Sequence, residues 1–328
     1  MSERPGPTAD ALVSGDRRTL ARAITLVEST RADDRTAAES LIEKLLPHTG
    51  SSLRLGITGT PGVGKSTFID ALGQRLIDDG HRPAVLAVDP TSNRQGGSIL
   101  GDKTRMAGLA QRPEAFIRPS PSGGLTGGVA RRTRDALLLC EAAGFDVVIV
   151  ETMGVGQAET AVADICDLFL LLVAPGGGDD LQGIKRGVME LADVVAVNKA
   201  DGELLTAARH TAADYAHALH MVRPKWSGFP TPVVSCSSLT GDGLDELWGT
   251  VTDVHRRLDE GGRLTALRAD QARHHFAREL EHLLVERITA QEGFGPLRAE
   301  AEAEVSAGTR TPGGAAAELA RRAWADLA

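Results

Sequence analysis

The chain has 328 residues, of which 42% are hydrophobic and 24% are charged, and its formal net charge is -8. This composition is typical of a soluble globular protein of about two domains, and the negative charge argues against a dedicated nucleic-acid binder, which usually presents a basic face. The strongest apolar run, residues 168–174, is too short to span a membrane. Residues 1–10 show no basic-then-apolar signal pattern, and the three cysteines lie far apart, as is typical of buried thiols in a reducing compartment. We therefore expect a cytoplasmic protein with neither nucleic-acid nor membrane partners.

Helical spacing of apolar residues predicts two helices within residues 11–46. From residue 51 onward, short runs of Val, Ile and Leu alternate with helical patterns, which indicates a parallel sheet covered by helices on both faces. The predicted strands lie at residues 53–58, 84–88, 146–150, 168–174, 194–197 and 232–235. The clearest helices are predicted at 66–77, 125–143 and 264–290, and an alanine-rich helix and a last short helix follow.

These elements predict an α/β fold with a mostly parallel sheet and with helical extensions at both ends. The expected boundaries are 1–50 for an N-terminal helical extension, 51–262 for the central domain and 263–328 for a C-terminal helical arm. The arm carries an apolar stripe that must be buried, either on its own domain or on a partner subunit, and periodicity alone leaves both possible. Its members are Leu280, Leu283, Leu284 and Ile288.

A phosphate-binding loop is the most specific motif in the chain. It follows the strand at 53–58, precedes the helix at 66–77 and matches G-x-x-x-x-G-K-[ST] at every fixed position. The glycines allow backbone N–H groups to surround a phosphate, and the helix N-terminus favours the same anion. The lysine is expected to reach the β- and γ-phosphates, and the first hydroxyl to ligate Mg²⁺. The nine residues are Gly59, Thr60, Pro61, Gly62, Val63, Gly64, Lys65, Ser66 and Thr67.

A base-recognition motif, N-K-x-D, follows the strand at 194–197. The carboxylate of Asp201 is suited to accept hydrogen bonds from the ring N–H and the exocyclic amine of guanine, whereas adenine would leave it unpaired. Asn198 and the stem of Lys199 are expected to hold the loop and to cover the ring. Ser237, Ser238 and Leu239 follow the last strand, where a backbone N–H can meet the base carbonyl, although a plain Ser-rich turn is an alternative.

Three acidic residues are candidates for magnesium ligands, because Mg²⁺ favours carboxylates together with phosphate oxygens and water. Glu151 ends the strand at 146–150 and begins E-T-M-G, where related switch sequences have D-x-x-G. Asp89 and Asp102 flank a long segment that follows the second strand, and capping of a helix is the alternative for both.

A second polar loop follows the strand at 168–174 and contains Asp179, Gln182 and Lys185. Gln182 is a candidate to orient water and Lys185 to offset charge in the transition state, while ordinary solvated loop polarity is the alternative. Val155 stands where many GTPases have a water-orienting Gln, so other groups must position the attacking water.

Together these stretches resemble the G3E GTPases, and within them the subgroup of MeaB, MMAA and the proteins once labelled ArgK. The likeness covers nearly the whole chain, including both helical extensions. The stretches that carry it are residues 59–67, 88–106, 118–131, 150–157, 178–187 and 198–202.

The resemblance implies a P-loop NTPase fold, a GTPase domain at 51–262 and a Mg²⁺-dependent GTPase that binds GTP and GDP. It implies a chaperone of an adenosylcobalamin-dependent acyl-CoA mutase, usually methylmalonyl-CoA mutase, with cobalamin reaching the chain only through that mutase. It also implies a homodimer through the C-terminal helices.

By position, the resemblance places Ser66, Asp89, Asp102 and Glu151 around Mg²⁺, and it assigns catalytic roles to Lys65 and Glu151 and to Asp179, Gln182 and Lys185 on a third switch loop. Two alternatives remain at this point: a GTPase that delivers a metal, against which the chain lacks a His tract, and an ArgK-like kinase linked to amino-acid transport.

Overall fold

The computed structural model describes residues 6–89, 106–121, 126–152, 158–176, 186–222 and 224–325, and for Asp89 it describes the backbone alone. The chain divides into two compact units, Met1–Gln271 and Ala272–Ala328. The first unit contains the sheet and the motifs identified above.

The strands of the first unit are β1 (Leu53–Gly59), β2 (Pro83–Asp89), β3 (Phe116–Pro121), β4 (Val147–Thr152), β5 (Leu168–Val173), β6 (Val194–Val197) and β7 (Val233–Ser235). Its helices are α1 (Ala9–Val13), α2 (Arg17–Val27), α3 (Ala32–Leu45), α4 (Lys65–Asp78), α5 (Ala107–Ala110), α6 (Thr126–Ala142), α7 (Ala158–Ala163), α8 (Arg186–Leu191), α9 (Leu205–His220) and α10 (Leu244–Glu260). Helix α11 (Arg263–Thr289) begins in this unit and continues into the second.

The strands form one sheet in the order β3-β2-β4-β1-β5-β6-β7, and every pair of neighbouring strands described in it is parallel. The carboxyl ends of the strands therefore lie along one edge, where ligands bind in open parallel sheets. The α/β fold and the six predicted strands are confirmed, with boundaries that differ by one or two residues.

Strand β3 was absent from the sequence prediction, and the structure corrects this. Its sequence, F-I-R-P-S-P, has two prolines and no continuous apolar run. Proline cannot donate a hydrogen bond to a neighbouring strand, so it is tolerated where one side of the strand has no strand partner. Among the described strands, β3 pairs with β2 alone and forms an edge of the sheet.

Both faces of the sheet are covered, and this is why the central strands are apolar throughout rather than alternating. One face packs against α1, α2, α3 and α6, with Leu20 and Ile24 of α2 fully buried. The opposite face packs against α4, α5 and α10, with Phe68 and Leu72 of α4 buried. The N-terminal helices thus pack on the sheet unit, and the structure adds the short α1 to the two helices predicted.

A buried ionic network lies at the amino ends of the strands, away from the predicted nucleotide loops. Asp167 precedes β5 and accepts two hydrogen bonds from the guanidinium of Arg268, at 2.8 and 2.7 Å, and one from the backbone N–H of Arg54, at 2.9 Å. The side chain of Arg54 in turn donates to both carboxylate oxygens of Glu141, at 2.8 and 2.9 Å. The network ties the first turns of α11 to β1, β5 and α6.

The stability of this network is predicted to depend on pH. Burial raises the pKa of Asp167, but the hydrogen bonds from Arg268 and its neighbours outweigh burial and leave that pKa below the ordinary value. A lowered pKa in the folded state contributes stability above the unfolded value of about 3.9, and this contribution is lost as the pH falls through the folded value.

Asp167→Asn should therefore reduce the free energy of unfolding at pH 7 by about 3–5 kcal/mol, because it leaves Arg268 without its charged partner. The difference from the wild type should narrow below about pH 4, as the wild-type carboxylate is protonated. Urea titrations at pH 7 and below pH 4 measure the difference in the free energy of unfolding. The control is Asp253→Asn, which removes a carboxylate from an exposed ion pair on α10. An equal difference at both pH values would contradict this assignment.

The second unit contains the remainder of α11 together with α12 (Phe294–Ser306) and α13 (Pro312–Ala325). Helices α12 and α13 pack on each other, and the side chain of Gln291 donates a hydrogen bond to the carbonyl of Ala323 at 3.2 Å. In the described part of the chain, no helix is both long and apolar enough to cross a membrane.

Candidate nucleotide-binding site

The phosphate-binding loop lies between β1 and α4, where the sequence predicts it. Gly62 and Gly64 have φ values of 82° and 94°, in the left-handed region that favours glycine. A Cβ at Gly59 would lie 2.5 Å from the carbonyl oxygen of Leu172, so this position has no room for a side chain. The three glycines therefore meet two needs, a left-handed backbone and a close approach to β5.

Lys65 is the first residue of α4, and its ammonium group lies inside the loop. Its Nζ donates to the carbonyl oxygens of Gly59, at 2.6 Å, and Thr60, at 3.3 Å, and only 8% of the residue is exposed. Burial lowers the pKa of Lys65, and the carboxylates of Glu151 and Glu159 act in the opposite direction. A partly desolvated cation at a helix N-terminus is suited to bind phosphate.

The next residue, Ser66, places a hydroxyl beside a buried carboxylate. Its Oγ donates to Oε1 of Glu151 at 3.3 Å, and Glu151 is almost completely buried at the carboxyl end of β4. Two hard oxygen ligands of this kind fit the preferences of Mg²⁺. The backbone of Asp89 ends β2, the neighbour of β4, one residue beyond the position that pairs with Thr152. The described residues contain no cluster of three or more His, Cys, Asp or Glu side chains arranged as a metal site.

Several predicted residues lie outside what the structure describes. They are the side chain of Asp89, Asp102, Val155, and the three candidates on the third loop, Asp179, Gln182 and Lys185.

The predicted base motif is joined directly to the phosphate-binding loop. Asn198, which is buried, donates from Nδ2 to the carbonyl oxygen of Val63 at 3.0 Å. Lys199 donates from Nζ to the carbonyl oxygen of Gly62 at 2.7 Å, and it is the only described non-glycine residue with a positive φ, 59°. Because a positive φ is unfavourable for residues other than glycine, this loop conformation is held by its surroundings.

The loop after β7 closes against the same motif. Ser237 donates from Oγ to Oδ1 of Asp201 at 2.6 Å, and Ser238 donates to Oδ1 of Asn198 from its backbone N–H, at 3.1 Å, and its hydroxyl, at 2.7 Å. Leu239 is 82% exposed, an unusual position for a large apolar side chain. The structure thus brings together the two segments that the sequence predicts to bind the base, with Asp201 half-buried and the exposed side chain of Leu239 on the neighbouring loop.

Sequence reasoning missed one buried acid near the phosphate-binding loop. Glu159, in the first turn of α7, is almost completely buried and acts electrostatically on Lys65. The sequence offers no signal for it, because a Glu in the first turn of a helix is common for dipole reasons alone.

Comparisons with known proteins show the family to which the chain belongs. The family described as "Methylmalonyl Co-A mutase-associated GTPase MeaB" matches residues 20–293. A putative GTPase of Caulobacter vibrioides is 59% identical over 260 residues, 79% of each chain. A mitochondrial methylmalonic aciduria type A homolog of Mus musculus is 42% identical and covers 93% of this chain and 76% of its own. A crystal structure of an LAO/AO transport system kinase is 38% identical, with a TM-score of 0.75 and 95% coverage of both chains. The chain therefore belongs to the MeaB family of GTPases, the MeaB/MMAA/ArgK subgroup of the G3E GTPases.

Proposed function

We propose that this GTPase is Mg²⁺-dependent and acts as the chaperone of an adenosylcobalamin-dependent acyl-CoA mutase, with methylmalonyl-CoA mutase as the first candidate. In this proposal the bound nucleotide determines when the cofactor is loaded, and the GTPase protects the mutase from inactivation. Cobalamin contacts the GTPase only through the mutase. The mutase part is supported by the description of the matched family. We also propose that the protein is cytoplasmic.

The observation that carries the nucleotide part is the direct joining of the base motif to the phosphate-binding loop. Asn198 and Lys199 hold the carbonyls of Val63 and Gly62, so the two ends of one nucleotide would be bound by a single connected unit. Asp201 is the group that would read guanine, because a carboxylate pairs with its two donors and has no partner on adenine.

Mg²⁺ is proposed to bind between the phosphates and the ends of β2 and β4. Ser66 and Glu151 are the proposed ligands whose geometry the structure describes, and Asp89 and Asp102 complete the proposed set. When bound, the ion would neutralise charge on the phosphate oxygens. Lys65 supports the same function by placing its ammonium group at the start of α4.

Hydrolysis is proposed to depend on the partner. Val155 cannot orient water by hydrogen bonding, so this role is assigned to Gln182, with Asp179 and Lys185 on the same third switch loop. Completion of a GTPase site by a partner can raise the rate by about 10³–10⁵-fold. If GTP hydrolysis is slow in the free GTPase and faster in its complex with the mutase, the rate of hydrolysis indicates that the complex has formed correctly.

GTP turnover with and without purified methylmalonyl-CoA mutase tests the partner. We expect a clear increase on addition of the mutase, and Lys185→Ala should remove this increase while GDP binding stays unchanged. Lys44→Ala, on α3, is the matched control. Absence of stimulation by any acyl-CoA mutase would reject the chaperone role, and full stimulation of Lys185→Ala would reject the role of that residue.

A homodimer through the C-terminal helices is also proposed, and the arm 263–328 is its proposed interface. Within the second unit, α11 exposes Leu280, Leu283 and Leu284 of the predicted stripe together with Phe276, with 42–70% of each residue exposed, while Ile288 is partly buried. The residues recur at helical spacing, so they share one face. Exposed apolar patches of this kind mark interaction sites. The other two proposed domains are an N-terminal helical extension at 1–50 and the GTPase domain at 51–262.

The double substitution Leu280→Glu and Leu284→Glu should convert the dimer into a monomer, because it would bury two charges in an apolar interface. Sedimentation velocity measures the change. His282→Ala is the control, since its position on α11 is about 200° from that of Leu280. A dimer that survives the double substitution would place the interface elsewhere.

A further inference from the structure

An open cavity of about 590 Å³ lies beside the edge strand β7, at the opposite end of that strand from the nucleotide loops. Two of its lining residues, Asp193 and Pro232, directly precede β6 and β7, whereas Asn198 and Ser237 of the nucleotide site follow these strands. Small-molecule sites in proteins have volumes of roughly 300–1,000 Å³. The cavity is therefore large enough for a ligand of its own and is separate from the nucleotide site.

A tight turn supplies the aromatic wall of the cavity. Trp226 and Phe229 pair across the turn as an antiparallel bridge, and the N–H of Phe229 donates to the carbonyl oxygen of Trp226 at 3.0 Å. Gly228, the third residue of the turn, has a φ of 84°, as is typical of a type II turn. Residues that are paired in this way present their side chains on the same side, and both rings line the cavity.

The two rings are held in place by charged neighbours. Asp193 is almost completely buried, and its carboxylate accepts hydrogen bonds from Nε1 of Trp226 and Nζ of Lys225, both at 2.7 Å. The ammonium group of Lys225 also lies over the ring of Trp226, 5.4 Å from its centroid, and the guanidinium of Arg263 lies over the ring of Phe229, at 4.8 Å. Each ring thus already attracts a cation of the chain over one of its faces.

Helix α10 forms another wall and adds negative charge. Asp253 of this helix is paired with Arg257 at 2.7 Å, whereas no described residue forms a hydrogen bond or an ion pair with the carboxylate of Glu246. Since Lys225 and Arg257 offset the two other lining carboxylates, Glu246 leaves the described lining with an unbalanced negative charge. The residues of α10 that line the cavity recur at helical spacing, and they are Glu246, Gly249, Thr250, Asp253, Val254 and Arg257.

We propose that this cavity binds a small organic cation, an ammonium or guanidinium group carried on an apolar body. The apolar body packs against Trp226 and Phe229, and the positive charge is attracted by the faces of the rings and by the carboxylate of Glu246. An anion of the same shape is repelled by that carboxylate. The inference does not depend on the partner or on the rate of GTP hydrolysis.

The test uses phenethylamine as the probe, with phenethyl alcohol and phenylacetate as neutral and anionic compounds of similar shape. NMR titrations of the full chain with bound GDP follow the indole N–H of Trp226. Phenethylamine should bind about tenfold more tightly than the alcohol, the scale of a cation–π contact, and phenylacetate should bind least. Equal affinity for the amine and the alcohol, or no response of Trp226 to the amine, would overturn the inference.

Gly249→Leu tests the position of the site. No atom lies within 4 Å of where a Cβ on Gly249 would be, so the leucine side chain extends into the open space of the cavity, and the substitution favours the helix. It should weaken phenethylamine binding at least tenfold and leave GDP binding unchanged. Gly313→Leu, at an equally open position near the start of α13, is the control. Wild-type amine binding by Gly249→Leu would overturn the inference.

Glu246→Gln tests the charge. This variant should weaken phenethylamine binding about two- to fivefold, the scale of an exposed ion pair, and leave the binding of phenethyl alcohol unchanged. Glu260→Gln, on the same helix but outside the lining, is the control. An equal loss of affinity for the amine and the alcohol in Glu246→Gln would contradict the role of this carboxylate in selecting a cation.

Discussion

Asp201→Asn is expected to weaken GDP binding by about 10²-fold or more. The wild-type carboxylate can accept two charge-assisted hydrogen bonds from guanine, each contributing about 1.5–3 kcal/mol. A carboxamide offers one acceptor and one donor, and its donor would face a donor on guanine. Xanthine has a carbonyl in place of the exocyclic amine, so the same variant should gain affinity for xanthosine diphosphate.

Asp201→Asn is expected to change base recognition without changing the conformation of the neighbouring loop. Oδ1 of Asp201 accepts a hydrogen bond from the hydroxyl of Ser237, and an amide oxygen at the same position can accept it too. The loop after β7 should therefore keep its conformation. Isothermal calorimetry with guanosine and xanthosine diphosphates measures both changes, with Asp242→Asn, in the same loop, as the control. Unchanged GDP affinity in Asp201→Asn would show that another group reads the base.

Lys65→Ala is expected to lower the single-turnover rate of GTP hydrolysis by about 10²–10³-fold, the typical cost of removing one preorganised donor from a developing charge. The ammonium group of Lys65 lies inside the loop on the carbonyls of Gly59 and Thr60, at the N-terminus of α4. It is therefore already placed where the phosphates would bind, and little reorganisation is needed.

Rapid-quench measurements at saturating GTP and Mg²⁺ report the chemical step directly. Lys44→Ala removes an equal charge from the exposed side of α3 and should leave the rate unchanged. Thermal melting of both variants checks that the fold is retained. A Lys65→Ala protein that hydrolyses GTP at the rate of the Lys44→Ala control would exclude Lys65 from the chemistry.

The fold was predictable from sequence wherever burial on two faces imposed a continuous apolar run. Strands β4 and β5, V-V-I-V-E-T and L-F-L-L-L-V, carry that signature because helices cover both sides of the sheet. Strand β3 does not, since it forms an edge, and its prolines conceal it. The other edge strand, β7, has no proline within its bounds and was predicted, so the prolines of β3 are the feature that separates the two cases.

Some features of the candidate site could likewise be predicted from the sequence, and others could not. The phosphate and base motifs were visible because backbone geometry and base chemistry prescribe residue types at fixed spacings, as at Gly64 and Asp201. Contacts between distant segments were not visible. The bond from Thr211 to Gly176 joins positions that no local pattern relates, and the proximity of Glu159 to Lys65 arises only from the packing of α7 beside β1 and β4.

A direct comparison of GTP and ATP binding by calorimetry, in the presence of Mg²⁺, tests the central claim that the nucleotide is read as guanine at this edge of the sheet. GTP is expected to bind, and ATP is expected to bind more weakly by up to about 10⁴-fold, because adenine leaves the carboxylate of Asp201 unpaired. Equal affinity for the two nucleotides, or a preference for ATP, would contradict it.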